Sequence, residues 1–376
     1  MTELKDSFTS TGEKLWHHQE ALLDLRNGKG HPISAWCAPT DLCSAKCSFC
    51  SVGERAGDSL PFSVIKGFLA QLVPLGLKSI TFSGGGNVLM WKCKETGADC
   101  NDLIAYTHAQ GLQIGMITNG LPMKQYPDGR VSWKTLSPEN LDKLTWCRIS
   151  MAGLDHNHKE QQVYVPDFDS EKTSLGFSWI LSDSYEEPSH KHGWVSTPED
   201  IRTPMENRKV VMAADRLPWI EDQIRQYVEK HNPAYCRLLS NCLQPDLIPE
   251  RHRTLTEMAN RINGAICFSQ HKPPFQPSKA CYKVYVRPCL NADGWIYNCD
   301  SVVLHRTAGH KFGSAWRVCH WDEIGDLLQK PIREVIPRDI CPGCVFAPAV
   351  EALGAVVEDG YAPALPAESV EHQNFI

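Results

Sequence analysis

Cys43, Cys47 and Cys50 form a C-x3-C-x2-C triplet in which Phe49 precedes the last thiol. Three thiolates in one short loop are soft, charge-donating ligands. They can hold three irons of a four-iron cluster and leave the fourth open to a small molecule. Two other readings of the triplet stand beside this one, a zinc loop and a set of buried structural thiols. A second set lies downstream: Cys281, twelve residues, Gly294, four residues, Cys299, and then Cys341-Pro-Gly-Cys344. A hairpin flanked by two cysteines and closed by a C-x2-C knuckle can present four thiolates to one centre, and a small unit of this kind draws folding energy from ligation. On spacing alone, zinc suits this set as well as an iron–sulfur cluster does. Cys289 and Cys319 are rival ligands. Cys37, Cys93, Cys100, Cys147, Cys236, Cys242 and Cys267 have no partner pattern and are read as buried structural thiols.

The elements that must position these residues alternate. Strands are predicted at Ile33–Cys37, Ser79–Phe82, Gln113–Ile117, Trp146–Ser150, Gly176–Leu181 and Tyr235–Leu239, with helices at 10–27, 62–74, 100–110, 138–144 and 213–231. Such alternation builds parallel β/α units. The expected fold is α/β, a partial (β/α)6 TIM-like barrel with a small C-terminal α+β domain. The first cysteine loop then falls at the carboxyl end of the first strand, where the active sites of parallel barrels collect. The expected divisions are a helical extension at 1–30, the barrel at 31–250, a linker at 251–280 marked by Pro273, Pro274 and Pro277, the second cysteine domain at 281–350, and a tail at 351–376. Tyr282–Val286 and Trp295–Tyr297 read as a hairpin turning through Asn291–Gly294. The polar segment 182–208 reads as an insertion or lid.

The chain has 376 residues, 42% hydrophobic and 22% charged, with a net charge of −6. That is ordinary for a globular protein and argues against a strongly basic nucleic-acid surface. No apolar stretch approaches the ~20 residues of a membrane span, and the start lacks a signal-peptide pattern. A cytoplasmic location without membrane association is expected. There, 16 cysteines point to metal or redox chemistry rather than disulfides. The pairs His156/His158 and His190/His192 read as solvated loop histidines, and Trp179 and Trp194 as candidate walls of a substrate pocket.

The cysteine triplet, with its aromatic residue before the last thiol, resembles the signature of the radical S-adenosylmethionine (SAM) superfamily. The motifs after it resemble that family in order: Ser83-Gly84-Gly85-Gly86-Asn87 after the second strand, Thr118-Asn119-Gly120 after the third, Arg148-Ile-Ser150 ending the fourth, and the fifth strand with Ser178. The family often carries Glu where this chain has Asn87. The second cysteine set resembles the twitch domain, a shortened SPASM domain. The glycine spacing of that motif selects Cys281 over its rivals.

This resemblance implies a [4Fe-4S] cluster at Cys43, Cys47 and Cys50. It implies SAM contacts from Phe49, Ser83, Gly84, Gly85, Gly86, Asn87, Thr118, Asn119, Arg148, Ser150 and Ser178, and an auxiliary [4Fe-4S] cluster at Cys281, Cys299, Cys341 and Cys344. The implied activity is reductive cleavage of SAM to a 5′-deoxyadenosyl radical that abstracts hydrogen, in a two-electron oxidation assisted by the auxiliary cluster, with a flavodoxin- or ferredoxin-type electron donor. Asp300, beside Cys299, is the candidate proton acceptor, set against an ordinary exposed aspartate. Three substrate classes stay open: a small alcohol or aminocyclitol, a peptide, and a modified DNA base, for which Arg202, Arg208 and Lys209 offer a phosphate patch. A radical isomerisation and a non-catalytic zinc-binding module are the alternatives.

Overall fold

Seven parallel strands run in chain order across one sheet: β1 (Ser34–Cys37), β2 (Ser79–Phe82), β3 (Gln113–Thr118), β4 (Trp146–Ser150), β5 (Ser174–Leu181), β6 (Tyr235–Ser240) and β7 (Cys267–Gln270). The computed structural model describes residues 8–9, 12–45, 47, 49–50, 57–121, 124–125, 131–132, 134–155, 163–182, 184–185, 210–211, 213–241, 244–271, 277–300, 316–336, 344, 346–363 and 369–376. On the other side of β1 the sheet continues through β8 (Cys289–Leu290), parallel to β1, and then β9 (Trp295–Tyr297) and β10 (Arg317–His320), both antiparallel to their neighbours. The helices are α1 (Gln19–Arg26), α2 (Phe62–Leu72), α3 (Cys100–Ala109), α4 (Pro138–Leu141), α5 (Leu217–His231), α6 (Ile248–Asn263), α7 (Ile324–Gln329) and α8 (Ala347–Glu358).

One face of each strand feeds the core. Ile80, Phe82, Ile114, Met116, Cys147, Ile149 and Phe177 are buried in one cluster with the apolar faces of the helices. In α2, Phe62, Ile65, Phe68, Leu69 and Leu72 recur at helical spacing and are all buried. Asp99 starts α3 by accepting from Asn101 N, while Asp102 accepts from the Asp99 N–H, which satisfies two of the unpaired amides of the first turn.

The other face lines an interior, closed at one end. Ser79, Gln113, Trp146, Ser174 and Tyr235 are the first residues of β2 to β6. One short C-terminal stretch meets the first four of these five. Ser79 Oγ donates to the Asn374 carbonyl (2.6 Å), and Asn374 Nδ2 donates to Gln113 Oε1 (2.9 Å). His372 Nε2 bonds Ser174 Oγ (3.1 Å), and Phe375 packs edge-on against Trp146. Phe8 stacks on Tyr235 and touches His372. The four strands it meets would span about 14 Å if laid flat, the full reach of residues 372–375 with nothing to spare. Phe8 extends the contact to Tyr235 of β6, and together the two pieces give the partial barrel a floor at the amino ends of its strands. Gly115 and Gly176 make room for it, because a Cβ at either would run into the rings of Trp146 and Tyr235.

The α/β partial barrel is present, with four corrections. The linker expected at 251–280 holds α6 and the seventh strand, β7. The hairpin through Asn291–Gly294 is made by Cys289–Leu290 and Trp295–Tyr297, while Lys283–Tyr285 is a 3-10 turn. The tail expected at 351–376 contains most of α8 and the floor segment. Trp179 lies in the hydrophobic core rather than in a pocket wall. Trp194, the two His-x-His pairs, Arg202, Arg208 and Lys209 lie outside the described residues, as does most of the segment read as a lid.

Candidate active site

The cysteine loop leaves the carboxyl end of β1, and the loops after β2 and β3 hold it in place. Gly84 and Gly85 have φ of +87° and +59°, which glycine adopts without a steric penalty. Cβ atoms at Gly85 and Gly86 would collide with the backbone at Thr40 and Leu42. That close approach lets Gly86 N donate to the Thr40 carbonyl and Asn87 N to the Leu42 carbonyl, both at 2.8 Å.

Asn87 is buried and sits at the centre of a side-chain network. Its Oδ1 accepts from Thr118 Oγ1 (2.9 Å) and Leu89 N (3.3 Å), and its Nδ2 donates to Asn119 Oδ1 (3.0 Å). Asn119 Oδ1 also accepts from Leu121 N, and Asn119 Nδ2 donates to Cys43 Sγ (3.4 Å). The network thus runs from β3 through the glycine loop to a thiol of the triplet.

Cys43, Cys47 and Cys50 are half-buried, and Cys43 and Cys47 pack against Ala45, Leu121 and Ala152. Cys37, Cys93, Cys100, Cys147, Cys236 and Cys267 are fully buried, as the core reading expects. Burial pushes the Cys100 thiol up to about 12, beyond any useful thiolate population. Cys242 lies outside the described residues. Phe49 is half-buried in the loop, and Ser150 and Ser178 are paired in register across β4 and β5. Arg148, two residues before Ser150, points to the same face of the sheet. The loop, Ser83–Asn87, Thr118, Asn119 and Ser150 therefore gather at one end of the barrel.

The second set is partly assembled. Cys281, Cys299 and Cys344 are half-buried, and Cys341 lies outside the described residues. Burial, with Cys299 and Cys281 nearby, pushes the Cys344 thiol up to about 12 against the pull of Lys283. Cys281 and Cys299 thus lie within electrostatic range of Cys344. Cys289 is fully buried on β8, and Cys319 lies on β10 beside Glu323 and Asp322. Asp300 is not an exposed aspartate. Its side chain is 9% exposed, with Oδ1 3.2 Å from Lys283 Nζ and Oδ2 3.2 Å from Arg287 Nη2. Sequence reasoning missed this buried ion pair, since neither cation has a spacing relative to Asp300 that marks it.

Among the described residues, no group of three or more His, Cys, Asp or Glu side chains stands ready-formed around a metal position. The donor type nevertheless fits iron–sulfur ligation at both sets, since half-buried thiols are soft ligands; at the second set the Asp300 carboxylate, 3.9 Å from Cys299 Sγ, is itself matched by Lys283 and Arg287.

No family model matches the chain, and no curated protein does. Solved structures resemble it at low identity. Streptococcus suis SuiB bound to its precursor peptide SuiA is 12% identical, with a TM-score of 0.45, covering 85% of this chain and 78% of that one. Native anSMEcpe with bound AdoMet and Cp18Cys peptide is 11% identical, with a TM-score of 0.44, covering 88% of this chain and 98% of that one. BtrN with AdoMet and 2-DOIA is 10% identical, with a TM-score of 0.34, covering 89% and 91%.

Proposed function

We propose that the protein is a radical SAM enzyme that oxidises its substrate by two electrons. The observation that carries this reading is the joint at the barrel's open end, where three half-buried thiols sit in a loop pinned to a glycine turn and hydrogen-bonded by Asn119. In this reading Cys43, Cys47 and Cys50 hold a [4Fe-4S] cluster, and Cys281, Cys299, Cys341 and Cys344 hold an auxiliary one. The first, with SAM bound, supplies a 5′-deoxyadenosyl radical for hydrogen abstraction, and the second supplies an electron acceptor.

The chain's own residues position and shield. The turn at Ser83–Gly86 offers backbone groups to the SAM amino group. Ser150 and Ser178 meet the ribose, and Asn119 orients Cys43. The floor closes the barrel to water from below. Asp300 acts as the counter-ion of Lys283 and Arg287 beside the auxiliary thiols, a positioning role.

Anaerobic reconstitution followed by dithionite and SAM tests the assignment, with 5′-deoxyadenosine as the readout. Formation of 5′-deoxyadenosine that is lost in Cys47→Ala supports it. A colourless protein holding about one zinc and cleaving no SAM would overturn it and leave a zinc-binding module.

A further inference from the structure

The seven parallel strands carry no Asp, Glu, Lys or His. Their only charged residues are Arg148 on β4 and Arg237 on β6. In a chain with a net charge of −6, this leaves a barrel wall with two cations and no strand carboxylate to pair them.

Register places the two arginines together. Arg148 pairs with Gly176, and Arg237 pairs with Ser178, two residues farther along β5. Paired residues in a sheet point to the same side, so both guanidinium groups face the interior, flanking the strand with Gly176 and Ser178. Each arginine is the third residue of its strand, one layer above the floor rings of Trp146 and Tyr235. Arg237 Nη1 donates to Gln270 Oε1 (2.9 Å), a neutral partner, and Arg148 lies over the Trp146 ring, 5.7 Å from its centroid. The Nε–H groups of both arginines are buried and have no acceptor among the described residues. Burial and the neighbouring Arg148 charge pull the Arg237 guanidinium down to about 9. Two like charges whose Nε–H groups are buried and unmatched are costly to keep, and an oxyanion between them would satisfy both.

We propose that Arg148 and Arg237 bind the carboxylate or phosphate end-group of a small-molecule substrate at the bottom of the barrel. The inference rests on the reading of this interior as the reaction chamber. Depth separates the site from the SAM loops. Ser150 ends its strand two residues above Arg148, about 7 Å higher, and the glycine and Thr118–Asn119 loops lie beyond the strand ends. A molecule anchored by its acidic end on the arginines extends upward toward the cysteine loop. The floor of Trp146, Tyr235 and Phe375 closes this end of the barrel, which suits an end-group rather than a continuing polymer, and a neutral or cationic aminocyclitol would leave the arginines unmatched.

The test is titration calorimetry and thermal melting of the reconstituted full chain with inorganic phosphate and with acetate, using chloride at equal ionic strength as the control. Saturable binding of one anion per chain is expected, weakened at least tenfold in Arg237→Gln and partly kept in Arg237→Lys. Arg237→Gln should also melt higher than the wild type without anion, because it removes a buried unmatched charge, and should lose the anion-induced rise. That paired result separates a ligand-binding arginine from a structural one. Phosphate binding more tightly than acetate would assign a phosphate end-group, and the reverse order a carboxylate. No binding beyond the chloride control would overturn the proposal. So would competition between the anion and SAM, which would make this SAM's own carboxylate pocket. Loss of 5′-deoxyadenosine formation with anion binding intact would instead sink the radical reading and leave the anion site standing.

Discussion

Lys283 and Arg287 share one carboxylate in a nearly dry setting. Lys283 is 6% exposed and Arg287 5%, and Asp300 lies between them. Burial pulls the Lys283 ammonium down, yet Asp300 and Cys299 outweigh it and hold its pKa above the ordinary value. Removing the shared partner strands two buried cations, and breaking a buried pair costs about 3 kcal/mol or more. Asp300→Ala should lower unfolding free energy by about that amount, read from the denaturant midpoint. An unchanged midpoint would mean that the triad is solvated. Asn87 makes a different argument. It joins Thr118, Leu89 and Asn119, so Asn87→Ala leaves several buried polar groups unmatched at about 2 kcal/mol in total. SAM affinity, measured by equilibrium dialysis, should fall with it, because the glycine turn loses its tie to Asn119 and Cys43. The sequence made Asn87 visible as a departure from a family motif. It did not show that both ends of the amide are used within the protein, which depends on β2 and β3 being neighbours.

At the scale of elements, the floor segment makes stability depend on pH. His18 Nε2 donates to the Gln373 carbonyl (3.1 Å), and His372 lies against Ser174 and Phe8. Burial, with Lys14 near His372, lowers both imidazoles from 6.5 to about 4. A base with a depressed folded pKa stays neutral in the fold while the unfolded chain binds a proton. Its contribution is therefore full above about pH 6.5 and is lost as pH falls toward 4. The urea midpoint should drop between pH 7 and pH 5, and His372→Gln should reduce that slope while His18 keeps its share; a slope unchanged by the substitution would place the pH dependence elsewhere. The first six strands were legible because each is short, apolar and bounded by turn residues. α6 was not. Its buried residues Ile248, Arg251, Leu255, Met258 and Ala259 do recur at helical spacing, but one is an arginine, and the prolines that follow drew a domain boundary too early. Trp179 was misplaced because a strand buried on both faces gives no sign of which face a residue takes. The floor was illegible in principle, since Phe375 meets Trp146 across 229 positions of chain.

The whole molecule places both thiolate sets on one continuous sheet. β8 is joined to β1 by two register pairs, Trp36 with Cys289 and Cys37 with Leu290, and the segment before it adds bonds from Ile33 N and Ser34 N to the Val286 carbonyl. Arg287 lies over the Trp36 ring, 5.0 Å from its centroid, so the buried triad beside the second set also touches the barrel interior. The β8–β10 unit has a small core of its own in Cys289, Tyr297, Trp316 and Ile336. Its Leu290 and Ile296 join the main core instead, and a metal held by the second set would add to the order of this unit. If the second set holds a cluster, Cys344→Ala should reduce iron from about eight to about four per chain, the count expected for one four-iron cluster. It should also lower the melting temperature. Dithionite-driven SAM cleavage should persist, because the first thiol loop leaves the opposite end of β1 from the floor and is held by β2 and β3 rather than by β8. Coupled product formation should fail if the second centre accepts the substrate's electron. Retained product with only four irons would reduce that centre to a structural staple, and a wild-type content of four irons and about one zinc would show that zinc occupies it. Loss of SAM cleavage together with the second cluster would mean that β1 transmits the disruption, and the two-pair junction with β8 would then be the place to look for coupling between the two centres.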